Sequence, residues 1–90
     1  MNKAELVQEV ANQTGLTRRI SREAVDGVTS VITDSLTRGE KITLVGFGTF
    51  QVMERKAREG VNPQTGKEIQ IPAKKVPKFR PGKSLREAVE

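Results

Sequence analysis

The chain has 90 residues, 34% hydrophobic and 30% charged, with three Phe and no Trp, Tyr, Cys or His. That describes one small domain with little material for a core, and it excludes disulfides, zinc thiolate sites and serine, cysteine or histidine triads. Oligomerisation is the remaining way to stabilise it. No apolar stretch approaches the ~18 residues of a membrane span, and Met1-Asn2-Lys3-Ala4-Glu5 lacks the apolar segment of a secretion signal, so a soluble intracellular protein with no membrane association is expected.

The net charge is +5, and it is unevenly spread. Up to Gly46 the bases Lys3, Arg18, Arg19, Arg22, Arg38 and Lys41 are matched by equally many acids. Between Arg55 and Arg86, ten basic residues face only Glu59 and Glu68. A surplus of this kind on one segment suits a polyanionic partner, although a solvated basic face would look the same.

In chain order, Asn2 followed by Glu5 resembles a capping box, Leu6, Val7, Val10 and Ala11 share a helical face, and Gly15 supplies the stop. A second helix starts at Thr17 or Ser21. Its stripe of Ile20, Ala24, Val28, Val31, Ile32 and Leu36 runs to Arg38-Gly39 and is wider than one short helix and a small sheet can cover, which makes a second copy of the chain the natural partner.

At Lys41 the period changes to that of a hairpin: Ile42-Thr43-Leu44-Val45 and Thr49-Phe50-Gln51-Val52 flank Gly46-Phe47-Gly48. Phe47, Phe50 and Phe79 are assigned to the core and not to base stacking. From Met53 to Lys75 apolar residues thin out. Glu54 to Arg58 and Lys67 to Ala73 read as the strands of one long ribbon around the turn formers of Gly60-Val61-Asn62-Pro63-Gln64-Thr65-Gly66. An isolated ribbon is marginal in water, so a mobile arm is expected, and Pro72 and Pro77 restrict its return strand to edge-like pairing. Pro81-Gly82-Lys83-Ser84 then opens a short C-terminal helix whose amides could hold a phosphate.

Gly82-Lys83-Ser84 is superficially similar to the end of a nucleotide-binding P-loop. That motif requires glycine at position 77, which is Pro, and it follows a buried parallel strand that Lys78-Phe79-Arg80-Pro81 does not provide. Carboxylate catalysis is no better founded, since Glu5, Glu9, Glu23, Asp26, Asp34 and Glu40 are scattered over helices where solvation and ion pairing account for them. No catalytic residue, metal ligand or cofactor is expected. The basic ribbon is more persuasive: it is slim enough for a groove, its cations can meet phosphates, and Pro63 can serve as a turn residue or as an apolar wedge.

The run Gly46-Phe47-Gly48-Thr49-Phe50, then Arg55, Arg58, Gly60 and Asn62-Pro63-Gln64-Thr65-Gly66, followed by Ile71-Pro72-Ala73 and Phe79-Arg80-Pro81-Gly82-Lys83, resembles the HU family of bacterial histone-like DNA-binding proteins, which includes integration host factor. The resemblance spans essentially the whole chain, and the length is nearer to HU. It implies an α+β intertwined dimer with a helical base over residues 1–40, a small antiparallel sheet saddle and arm over 41–80, of which 54–75 is mobile, and a C-terminal helix over 82–90. A homodimer is the default, and a heterodimer with a paralogue stays open.

Carried over position by position, the resemblance assigns Arg55, Arg58, Lys74, Lys75 and Arg80 to phosphates along arm and saddle, and Lys3, Lys83 and Arg86 to flanking DNA. Pro63 intercalates, Asn62, Gln64 and Thr65 support the tip, Ile71 packs along the arm, and the three Phe form the dimer core. Met53 and Val61 depart from the Arg that many relatives carry, and each lost phosphate contact lowers the salt slope by about 0.9.

The expected function is architectural, largely non-sequence-specific binding of the DNA minor groove, which bends and compacts DNA in the nucleoid of the bacterial cytoplasm. Smooth bending of a short site costs on the order of 1–6 kcal/mol, so bent, nicked or flexible DNA is the expected preference. The alternative is an RNA-binding or ribosome-associated basic protein using the same arm.

Overall fold

The computed structural model describes residues 1–90 and belongs to the α+β class. Its elements are α1 (Lys3–Thr14), α2 (Arg18–Thr37), β1 (Ile42–Leu44), β2 (Gly48–Arg55), β3 (Arg58–Val61), β4 (Glu68–Ile71), β5 (Lys74–Pro81) and α3 (Lys83–Val89). They fall into two compact units, Met1–Asp34 and Ser35–Glu90.

In the first unit, Asn2 caps α1 through its Oδ1, which accepts from the Glu5 amide at 2.9 Å. Gly15 ends the helix at φ 75°, a conformation that disfavours a side chain, and its amide donates to the Ala11 carbonyl. Of the two starts weighed for α2, Thr17 is the one used: its Oγ1 accepts from the Ile20 amide at 3.2 Å. Ser21 is instead fully buried, and its hydroxyl has no hydrogen-bond partner.

Val7 and Ala11 are the only apolar residues of the whole chain that are buried. The α2 stripe is largely open, with Val28 56% and Val31 62% exposed. A single chain therefore leaves bare the face that the apolar periodicity marks for burial.

In the second unit, β1, β2 and β5 form an antiparallel sheet in the order β1-β2-β5, so β2 is central and β5 is an edge. Pro77 stands in β5 opposite Val52, where an edge tolerates its missing N–H. The Phe79 ring lies 4.8 Å from Phe50 and 5.5 Å from Phe47, centroid to centroid. Phe47 and Phe79 nevertheless remain 48% and 41% exposed. In one chain the aromatic cluster forms but stays open on one side, because a three-stranded sheet and a two-turn helix carry too little apolar surface to close over it.

The expectation of one continuous ribbon is corrected. The β2–β5 ladder ends at Arg55 opposite Lys74, and a separate two-stranded ladder begins at Arg58 opposite Ile71. Between them Lys56 and Ala57 run alongside Pro72 and Ala73 outside any strand. Pro72 has no amide for the ladder and restricts the residue before it, so pairing stops there and resumes beyond.

Gly82 caps α3, which is fastened to the β1–β2 turn by the Gly82 amide on the Phe47 carbonyl (2.8 Å) and the Leu85 amide on the Gly46 carbonyl (3.2 Å). Those two amides are thus engaged within the fold and not left for a phosphate.

Candidate nucleic-acid interface

Strand alternation decides which cations act together. Residues directly opposed in an antiparallel ladder share a face, and successive residues alternate between faces. From the pairs Thr49–Arg80, Gln51–Lys78, Met53–Val76 and Arg55–Lys74, the sheet gathers Arg55, Lys74, Lys78 and Arg80 on one face. The other face carries Phe50 opposite Phe79, Val52 opposite Pro77 and Glu54 opposite Lys75. Lys75 is therefore separated from Lys74, its neighbour in the expected phosphate-binding row, and is set across from a carboxylate. Met53, half-exposed, and Val76 interrupt the basic face with an apolar step.

Beyond the break, the arm is the β3–β4 hairpin. Its tip is closed by a dense set of short-range bonds. The Asn62 amide donates to the Lys67 carbonyl at 2.9 Å, the Gly66 amide donates to the Asn62 carbonyl at 2.8 Å, and Asn62 Oδ1 accepts from the Gln64 amide at 2.9 Å. Thr65 Oγ1 accepts from the Lys67 amide at 3.4 Å. Asn62 and Thr65 are thus spent on shaping the turn, and Pro63 and Gln64 are exposed on it. Arg58 pairs with the half-buried Ile71 at the base of the hairpin.

The remaining expected residues lie elsewhere. Lys83 and Arg86 are exposed on α3, and Lys83 Nζ stands 3.9 Å from Glu87. In the helical unit, Lys3 forms a 2.6 Å ion pair with Asp26 and lines a cavity of about 280 Å³ with Ala4, Val7, Arg18 and Arg22.

Lys78 is the candidate that sequence reasoning passed over, although the alternation Lys74, Val76, Lys78, Arg80 carries it. Arg18 and Arg22 are the others, and their spacing of four on one helix was the available signal.

The family model described as bacterial DNA-binding protein matches residues 1–90. The chain belongs to this family. Relatives include DNA-binding protein HU of Staphylococcus aureus, 56% identical, and that of Geobacillus stearothermophilus, 53% identical, each covering 100% of both chains. Among solved structures, Anabaena HU in a cocrystal with DNA is similar at TM-score 0.90 and 45% identity, covering 99% of this chain and 97% of that one. HU from Thermotoga maritima is similar at TM-score 0.73 and 34% identity over 100% of both. The bacterial DNA-binding protein family is one of nucleic-acid binders and not of enzymes, and no helix of this member is long and apolar enough to cross a membrane.

Proposed function

We infer that this chain is an architectural DNA-binding protein that associates with the bacterial nucleoid, bending and compacting duplex DNA with little regard to sequence. The observation that carries this reading is the two-stranded arm: a slim hairpin beyond a basic sheet face, tipped by an exposed proline, in a chain whose fold matches HU from a DNA cocrystal at TM-score 0.90. Arg55, Lys74 and Arg80 contact phosphates from one sheet face, Lys75 from the other and Arg58 from the arm, and Lys3, Lys83 and Arg86 hold DNA that wraps further along the body. Pro63 enters a base step, with Asn62, Gln64 and Thr65 as its support, and Ile71 packs along the arm.

The working unit is a dimer, by default of identical chains. The open α2 stripe and the half-open Phe47–Phe50–Phe79 cluster support it, since a protein with two buried apolar side chains needs a partner to cover both. All 90 residues act as one functional domain, with the arm ordering as it enters the groove.

The test is binding of the full chain to matched intact and nicked duplexes across a salt series, with double-stranded RNA as competitor. Salt-sensitive binding that favours the nicked duplex supports the reading. Equal binding to all three leaves only a basic surface. A preference for the wide, shallow minor groove of A-form RNA would replace the reading with an RNA-directed one.

A further inference from the structure

The arm is two-faced, and its second face is acidic. Across the β3–β4 ladder, Arg58 opposes Ile71 and Gly60 opposes Ile69, while Glu59 opposes Gln70 and Val61 opposes Glu68. Contacts at Gly60 agree with this sorting: a Cβ there would meet Ile71 Cδ1 at 3.2 Å and Ile69 Cγ1 at 3.8 Å, so both isoleucines lie over the glycine on the face of Arg58. The opposite face bears Glu59, Val61, Glu68 and Gln70. Glu59 and Glu68 are the only carboxylates between Arg55 and Arg86. Both are exposed, and the ion pairs of the molecule (Lys3–Asp26, Arg38–Glu40 and Lys83–Glu87) use neither. In the most basic stretch of the chain, all of the negative charge thus falls on one side of the arm.

We propose that Glu59 and Glu68 are specificity-determining residues that act by repulsion, holding the arm out of the minor groove of undistorted duplex and admitting it where the groove is already open. The proposal rests on the architectural reading above. A B-form minor groove is about 6 Å wide and 7.5 Å deep, and two strands stand about 4.8 Å apart before their side chains are added, so the ribbon fills an unwidened groove from wall to wall. The edges of the arm then lie against the phosphate walls, with the Arg58, Ile69 and Ile71 face turned to the floor and the acidic face at the groove mouth, where both carboxylates lie within a screening length of phosphates on either side. At a nick, gap or kink the walls separate and the phosphates draw away from the acidic face. Repulsion falls with distance and is screened over roughly 8–10 Å, so a few ångströms of opening removes most of the penalty while Arg58, Ile69 and Ile71 keep their contacts. Selectivity arises from a penalty on the wrong substrate, with no new contact to the right one.

The experiment compares the full-length protein with the Glu59→Gln/Glu68→Gln variant, whose changes are exposed and near-isosteric and whose fold is checked by circular dichroism. Affinities are measured for one sequence as intact, nicked and gapped duplex at low and at high salt. The expected result at low salt is an increase of about tenfold on intact duplex against about twofold on nicked or gapped duplex, with the difference shrinking as salt screens the carboxylates. Equal tightening on all substrates, or none, overturns the proposal while leaving the architectural reading in place. An unaltered protein that does not distinguish nicked from intact duplex overturns both.

Discussion

The ring of Phe79 rests against the backbone of Gly48, its Cζ 2.5 Å from where a Cβ on that glycine would stand. The Arg80 carbonyl oxygen lies 2.7 Å from the same point, so backbone as well as side chain blocks it. Gly48→Ala is expected to force β5 away from β2 and to destabilise the protein by about 1–3 kcal/mol, read as a lowered thermal midpoint at fixed protein concentration.

Ser21 gives the opposite expectation. Its hydroxyl is fully buried and without a partner, so removing it takes away a desolvated polar group and little volume. Ser21→Ala is expected to stabilise by about 1 kcal/mol, seen as a midpoint raised by several degrees. An unchanged or lower midpoint would mean that the hydroxyl finds a partner in solution.

The bare stripe of α2 predicts the behaviour of a charge placed on it. Val31, 62% exposed in one chain, lies at the centre of the face assigned to a second copy. Val31→Asp should raise the dimer dissociation constant at least a hundredfold, measurable by sedimentation equilibrium, since an unpaired carboxylate would be buried at the interface. A variant that stays dimeric at the same concentrations would assign dimerisation to another surface.

Met53 and Val61, both exposed, are predicted to respond differently to arginine. Met53 shares a face with Arg55, Lys74, Lys78 and Arg80, so Met53→Arg extends that row and should steepen the dependence of log K on log salt by about 0.9. Val61 stands opposite Glu68, which would partly neutralise a new cation, and Val61→Arg should steepen the slope by clearly less. A salt titration of each single variant separates the two cases.

Pro63 is exposed on a turn whose closing bonds do not depend on its ring. Pro63→Ala should therefore retain salt-dependent binding but lose bending, lowering energy transfer between dyes at the ends of a short duplex and narrowing the preference for nicked DNA by about tenfold. Unaltered bending would remove the wedge role.

Much of this architecture could be read from the chain itself. Asn2 and Gly15 mark the ends of α1 through local chemistry, and the glycines around Phe47 mark the hairpin, because caps and turns depend on a few neighbouring residues. The run from Gly46 to Lys83 was long enough to point to the family. What could not be read depends on pairing across the chain. Composition puts Lys74 and Lys75 in one basic row, and only the register separates them. It likewise gives no sign that Glu59 and Glu68, nine positions apart, share a face. The break at Lys56 and Ala57 arises from Pro72 on the other strand, and the choice of Thr17 over Ser21 as the cap rests on which of them is buried. The exposure of Phe47 and Phe79 reflects how little surface one chain offers to cover them.

Pro77 also bears on how many copies can crowd together safely. A strand with only one neighbour is an open template, and closely spaced molecules along a filament risk joining such templates into a growing cross-β stack. On β5 the outward rim lacks donors at Pro77 and Pro81. An incoming strand would find gaps where its carbonyls need partners, and two lysines begin the same strand. Joining of copies through this edge is therefore disfavoured.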